Sequence, residues 1–192
     1  MQKSFKKLTL CSNSPRRREL LSGLDLEFTV DTKTSFEEVV PPGMAPEDIP
    51  MHMALGKAGG FHRPLEEGEL LITADTIVIC NGKALGKPAP NKESAAAMLR
   101  MLSGKTHMVI TAVCITSLEE QISFTDRSEV TFCALTDDEI DYYTDKYQPY
   151  DKAGAYGVQE WIGYVGIERI EGSFYNVMGL PVHKLWRALS TT

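Results

Sequence analysis

The stretch LTLCSNSPRRRELLSG, residues 8–23, decides the first question about the fold. Leu8 to Cys11 is an apolar run of strand length that ends at Ser12. Ser14 followed by Pro15 is a helix start: the serine oxygen can cap an unpaired N–H, and proline's fixed φ suits a first turn. The helix continues through Leu20 and Leu21 to Gly23, a C-terminal stop. A strand passing through a short turn into a helix points to an α/β protein. The turn also poses a problem, because Arg16, Arg17 and Arg18 stand at the positive end of the helix dipole. They need something negative nearby.

Outward from this unit, Leu26 to Val30 predicts a second strand, and residues 31–46, with Pro41-Pro42-Gly43, a long loop. Ile49, Met53, Ala54 and Lys57 give residues 47–61 helical spacing, with Pro50 confining the regular part to the later turns. Leu70 to Ala74 is a buried strand ending at Asp75-Thr76 and continued by Ile77 to Cys80; a hairpin turns at Asn81-Gly82 and returns through Leu85. Asn91 caps an Ala/Leu-rich helix that runs to Leu102 and stops at Gly104. Residues 107–117 and 122–135 predict an antiparallel pair of strands. Thr136 to Glu139 is a capping box opening a helix to Tyr147. Trp161 to Ile170 alternates as a strand, and Val182 to Leu189 closes the chain as a helix. With no repeat or linker, the pattern is one mixed α/β domain over residues 1–192.

Composition narrows the function classes. The chain has 192 residues, 43% hydrophobic and 24% charged, with net charge −6. That suits a globular domain, and it argues against a general nucleic-acid-binding surface. The N-terminus lacks the apolar run of a signal peptide, and no stretch approaches the roughly 20 apolar residues that span a bilayer. The expectation is a cytoplasmic protein that binds neither nucleic acid nor membrane. Cys11, Cys80, Cys114 and Cys133 are widely spaced in apolar runs, as for reduced core thiols rather than a zinc site.

Four stretches carry more polar groups than their surroundings explain. Ser12-Asn13-Ser14-Pro15-Arg16-Arg17 offers hydroxyls, helix-start N–H groups and guanidinium forks, which suit phosphate; a basic turn paired with acids of the 31–38 loop is the alternative. Asp75 ends an apolar strand, where a carboxylate must be paired, bound to metal or capping a turn. Lys87, between Gly86 and Pro88, and Lys57 on the preceding helix are either surface lysines or anion ligands. Residues 151–159, DKAGAYGVQ, set small residues among polar ones, as in backbone folded round a ligand or in a tight structural loop. Together these groups suggest nucleotide phosphate chemistry.

In order along the chain, the four stretches resemble the Maf family of nucleoside triphosphate pyrophosphatases, with its S-x-S-P-R-R, A-D-T, L-G-K-P and D-K-A-G-A-Y-G-x-Q patterns. The likeness continues through Leu102 to His107, Glu171-Gly172-Ser173 and Asn176 to Pro181. The resemblance implies a fold like that of inosine triphosphate pyrophosphatases: an elongated mixed sheet flanked by helices, with a cleft between two lobes. It implies a homodimer that hydrolyses a free nucleoside triphosphate to a monophosphate and pyrophosphate, using a divalent cation, Mg or Mn.

On this resemblance Asp75 is the proton acceptor, and Asp75 and Glu37 serve as catalytic and metal-binding carboxylates, with Glu38 one register away. An ordinary aspartate, with pKa about 3.9, is a weak base, and metal-bound water is easier to deprotonate. Ser12, Ser14, Arg16, Arg17, Lys57 and Lys87 are implied to bind the triphosphate. Arg16, Thr76 and Gln159 match positions that divide the family by substrate and place the chain in the dTTP/UTP branch. The alternatives are a methylated guanosine triphosphate as substrate and a non-catalytic regulator of septum formation. The glutamine amide has one donor and one acceptor face for a pyrimidine edge. Two residues depart from the family pattern: Gly56 stands where a Glu usually precedes the helix lysine, and Glu160 where a Gly usually follows Gln159.

Overall fold

The computed structural model describes residues 6–190, so residues 1–5 and 191–192 of the expected domain lie outside the described residues. The opening unit forms as its sequence predicts. Strand β1 (Lys7–Leu10) leads into helix α1 (Pro15–Ser22), whose cap Ser14 accepts a hydrogen bond from Arg17 N, and Gly23 closes the helix with its N–H on Glu19 O and Leu21 O. Strand β2 is only Thr29–Val30, shorter than expected. Leu26 is buried but precedes the strand, so it serves as a core anchor in the turn after α1.

Helix α2 (Ile49–Gly59) follows a 3-10 turn at Pro46–Asp48. Pro50 sits in its first turn, where no intrahelical N–H is needed, and therefore starts the helix instead of limiting it. Strand β3 (Glu69–Cys80) runs unbroken through Asp75 and Thr76, the two residues of the strand that are not fully buried. At Asn81-Gly82 both φ values are positive, at 51° and 71°, as a two-residue hairpin turn requires, and β4 (Lys83–Leu85) returns antiparallel to β3.

Helix α3 (Lys92–Leu102) is capped by the Asn91 side chain, and strands β5 (Thr106–Thr116) and β6 (Gln121–Phe132) follow. Helix α4 (Asp137–Tyr147) carries the full capping box between Thr136 and Glu139. Residues 161–170 differ from expectation: Trp161–Gly166 is helix α5, and only Ile167–Glu171 is strand β7. The apolar residues there are continuous, so alternation was one reading of two. Burial of Ile162 and Gly166, four apart, while Tyr164 is 83% exposed fits a helix; so does Gly163, where a Cβ would collide with the Val158 carbonyl. Helix α6 (Phe174–Met178) has no counterpart in the sequence reading, and α7 (Val182–Leu189) matches it.

The seven strands form a mixed sheet in the order β2-β1-β3-β5-β6-β7, with β4 on β3. β1 is parallel to β2 and β3, whereas β6 and β7 are antiparallel. The chain divides into two compact units. The first holds the described residues up to Asp75, Thr111–Asp126 and those from Gly179 on; the second holds Thr76–Ile110 and Arg127–Met178.

The first unit packs Ala54 and Ala58 of α2 against Ala112 and Cys114 of β5. It also buries Glu69 completely. Arg63 meets that carboxylate through two nitrogens at 2.6 and 2.8 Å, and Thr9 Oγ1 donates to it at 2.6 Å. These bonds hold the Glu69 carboxyl well below the usual carboxylate range, as a buried charge requires. The second unit packs His107, Phe132 and Tyr156 edge to face, with centroids 5.0–5.4 Å apart. All four cysteines are free thiols, with Cys133 half-buried and the other three buried.

Candidate active site

In the first unit, β3 and α2 match their periods. Thr73 and Asp75, two apart on one face of the strand, meet Ala54 and Lys57, three apart on one face of the helix. Thr73 Oγ1 donates to Ala54 O at 2.7 Å, and Lys57 Nζ donates to Asp75 Oδ1 at 2.7 Å. Lys57 also pairs with Glu38 Oε1 at 3.2 Å. The carboxylate brought to this cluster is thus Glu38, while Glu37, the residue singled out from sequence, is exposed beside it.

The 31–40 loop reaches this position because it is pinned to α2. Thr34 forms a bridge with Phe61, Ser35 N donates to Gly60 O at 2.8 Å, and His52 Nε2 contacts Val39 O at 3.3 Å. The Phe36 ring lies on Gly56, where any Cβ would collide with it, and meets His52 edge to face. Gly56 therefore has a steric reason: the family's usual glutamate cannot stand under this phenylalanine.

The arginine turn finds its counter-charge in carbonyl oxygens. Arg17 Nε donates to Gly179 O at 2.8 Å, and its Nη1 to Ala74 O at 2.9 Å and Ser12 Oγ at 3.3 Å. Ser12 Oγ also accepts from Ser14 N at 3.2 Å. Burial lowers the Arg17 pKa from its ordinary value and the Asp75 carboxylate opposes that lowering, so the guanidinium stays charged. Arg17 thus ties the turn to the backbone beside Asp75. Arg18 is exposed and donates to Asn13 O at 3.2 Å. Arg16, half-buried, follows Pro15 in the first turn.

Asp75 and Glu38 present two carboxylates to one cation, the Lys57 ammonium. Among the described residues no cluster of three or more His, Cys, Asp or Glu could hold a metal. A pair of oxygen donors completed by water and phosphate is how Mg²⁺ is commonly held, so the residues present fit a hard divalent cation.

The second unit brings Lys87 and the 151–160 loop together through backbone. Gly154 N donates to Gly86 O at 3.1 Å, one residue before the exposed Lys87. Gly154 has φ 71°, and a Cβ there would lie 2.9 Å from Val78 Cγ2, so the small residues of this loop answer a close approach to β3. Gln159 Oε1 is buried without a hydrogen-bond partner. Next to it, Glu160 Oε2 accepts from the Tyr143 hydroxyl, and Glu160 Oε1 pairs with Lys152 Nζ at 3.1 Å. From sequence, Glu160 stands out only as a departure and Lys152 only within the 151–159 stretch, while Tyr143 was not singled out; nothing local in the sequence links these three.

The family profile of Maf-like proteins matches residues 7–192, nearly the whole chain. The chain belongs to the Maf family. Among its Maf relatives, a protein of Bacteroides thetaiotaomicron named dTTP/UTP pyrophosphatase is 54% identical over 95% of this chain and 94% of its own length. One of the same name from Porphyromonas gingivalis is 54% identical over 95% of this chain and 92% of its own. A Flavobacterium johnsoniae protein, again so named, is 45% identical over 96% and 94%. Among the described residues of this Maf protein, no helix is long and apolar enough to cross a membrane.

Proposed function

We propose that the protein is a nucleoside triphosphate pyrophosphatase that hydrolyses dTTP and UTP to the monophosphate and pyrophosphate. Identity of 54% to proteins named for that activity supports the reaction. The observation that carries the chemistry is the Asp75–Lys57–Glu38 cluster at the mid-strand break in burial.

In this reading water attacks the α-phosphorus, the bond to the α–β bridging oxygen breaks, and that oxygen leaves with pyrophosphate. Asp75 takes the proton of the attacking water. Lys57 holds Asp75 Oδ1 at 2.7 Å and so fixes the oxygen that must face it. Arg16, Arg17, Lys57 and Lys87 neutralise charge on the triphosphate, with Ser12 and Ser14 donating to its oxygens. A divalent Mg or Mn held by Asp75 and Glu38, with Glu37 adjacent, would acidify bound water and draw charge from the phosphoryl oxygens. Thr76 and Gln159 belong to base selection. The unpartnered Gln159 Oε1 calls for an N–H donor, and the N3–H of uracil or thymine is one.

The substrate is a free nucleotide, as the net charge of −6 favours over a polyanion, and the setting is the cytoplasm, with the protein acting as a homodimer. The test is a panel of nucleoside triphosphates with Mg²⁺ or Mn²⁺, measuring pyrophosphate, with Asp75→Asn alongside. Pyrophosphate from dTTP and UTP, lowered at least 100-fold in the folded variant, is the expected result. Release of single phosphates, turnover of guanosine derivatives alone, or an undiminished variant would overturn it.

A further inference from the structure

The 151–160 loop contains a buried ionic brace that phosphate chemistry does not use. Lys152 is 7% exposed, yet its ammonium reaches Asp151 Oδ1 at 2.9 Å and Glu160 Oε1 at 3.1 Å. The other Glu160 oxygen accepts from the Tyr143 hydroxyl, which in turn accepts from Gly157 N at 3.0 Å. Glu160 N donates to Gly157 O at 3.0 Å, and Gly163 N to Glu160 O at 2.8 Å. Burial and the Glu160 carboxylate keep the Tyr143 hydroxyl protonated far above its ordinary range, so it stays a donor.

Gly157 is needed within this arrangement, because a Cβ there would come within 2.8 Å of the Glu160 carboxyl carbon. Helix α4 supports the arrangement from outside, with Tyr143 stacked on Tyr147 at 5.0 Å. The turn 157–160 is therefore closed twice, through backbone and through side chains. Gln159 sits inside it with its Oε1 buried and unpartnered. A side chain left with an unmet acceptor costs free energy until a ligand supplies a donor, and it discriminates only if it cannot swing away.

We propose that Glu160, clamped between Tyr143 and Lys152, is the positioning residue that fixes the Gln159 amide and so sets base selectivity. This rests on the pyrimidine nucleotide reading above. Glu160 itself touches no substrate. Where the family pattern has glycine, this chain has substituted a charged strut, and selectivity here depends on side chains that a glycine could not engage.

The experiment measures kcat and KM for UTP, dTTP and CTP with the full chain, its Glu160→Gly variant and its Tyr143→Phe variant. CTP presents an acceptor at N3 where UTP presents a donor, so the wild type is expected to prefer UTP. Glu160→Gly leaves Lys152 its Asp151 partner and should raise KM for UTP at least 10-fold. It should lower the UTP/CTP preference by a similar factor and leave kcat within threefold. Tyr143→Phe keeps the ion pair, loses only the hydroxyl, and should move the same ratio in the same direction by a smaller factor.

An unchanged preference in a folded Glu160→Gly protein overturns the proposal, as does a parallel fall in kcat for all three nucleotides. If Glu160→Gly fails to fold, Tyr143→Phe decides alone. A wild type without pyrophosphatase activity on pyrimidine nucleotides overturns the functional reading instead, before any variant is compared.

Discussion

The polar clusters of the two units are built on opposite plans. In the first, Lys57 bonds the half-buried Asp75 and pairs with Glu38, whose side chain is 59% exposed. In the second, Glu160 accepts from the Tyr143 hydroxyl with one oxygen and pairs with the buried Lys152 through the other. The pairing of Lys57 with Glu38 can be exchanged at little cost, because the Glu38 carboxylate remains largely in water. The second is tied more tightly, since losing Glu160 leaves the buried Tyr143 hydroxyl without its acceptor. One plan suits chemistry on a charged substrate, and the other suits the positioning of Gln159 proposed above.

The sharpest way to break this contrast is Gly56→Ala. The new methyl must displace Phe36 and, with it, the loop that seats Glu38 on Lys57. Activity should fall roughly 100-fold, and overpacking should cost about 1–3 kcal/mol of stability. Phe36→Ala in the Gly56→Ala background should recover much of the stability, because it removes the clash. Steady-state kinetics and thermal unfolding of the three variants check both effects.

Acid should separate the two units in a defined order. Burial pushes His107 down to about 4 from its ordinary 6.5, so the folded chain refuses a proton that the unfolded chain accepts below pH 6.5. The stability it contributes is complete above pH 6.5 and drains away as pH falls toward 4, about 2–3 kcal/mol by pH 4.5. Glu69 in the first unit, depressed mainly by Arg63, loses its contribution only below the ordinary carboxylate range. Hydrogen exchange at pH 5 should therefore loosen the second unit first, and His107→Gln should flatten the stability profile between pH 6.5 and 4.

The smallest expected effect sharpens the reading of the arginine turn. Arg18 is exposed and donates to Asn13 O of the turn, so Arg18→Ala should change kcat/KM less than twofold. Arg17→Ala, which strips donors from Gly179 O and Ala74 O, should cost several times more in both activity and stability.

What was legible in the sequence was local. Ser14, Asn91 and Thr136 each cap the helix predicted from them, since a cap is decided within four residues. Asp75 and Lys57 each stood out in the sequence, but their pairing with one another did not. What could not be read depended on partners distant in sequence. That Glu38 is the residue paired with Lys57 depends on a loop whose Phe36 rests on Gly56, twenty residues away. Glu160 likewise depends on Tyr143 of another helix.

The bond from Arg17 to Gly179 spans 162 residues, and it bears on how the chain is made. At synthesis rates of about 5–20 residues per second, about 10–30 s separate the emergence of its two ends. All of the second unit's residues are synthesised within that interval, while the first still lacks the segment from Gly179 on. The nascent protein therefore waits with its arginine turn incomplete until the stretch at Gly179 leaves the ribosome and fastens it.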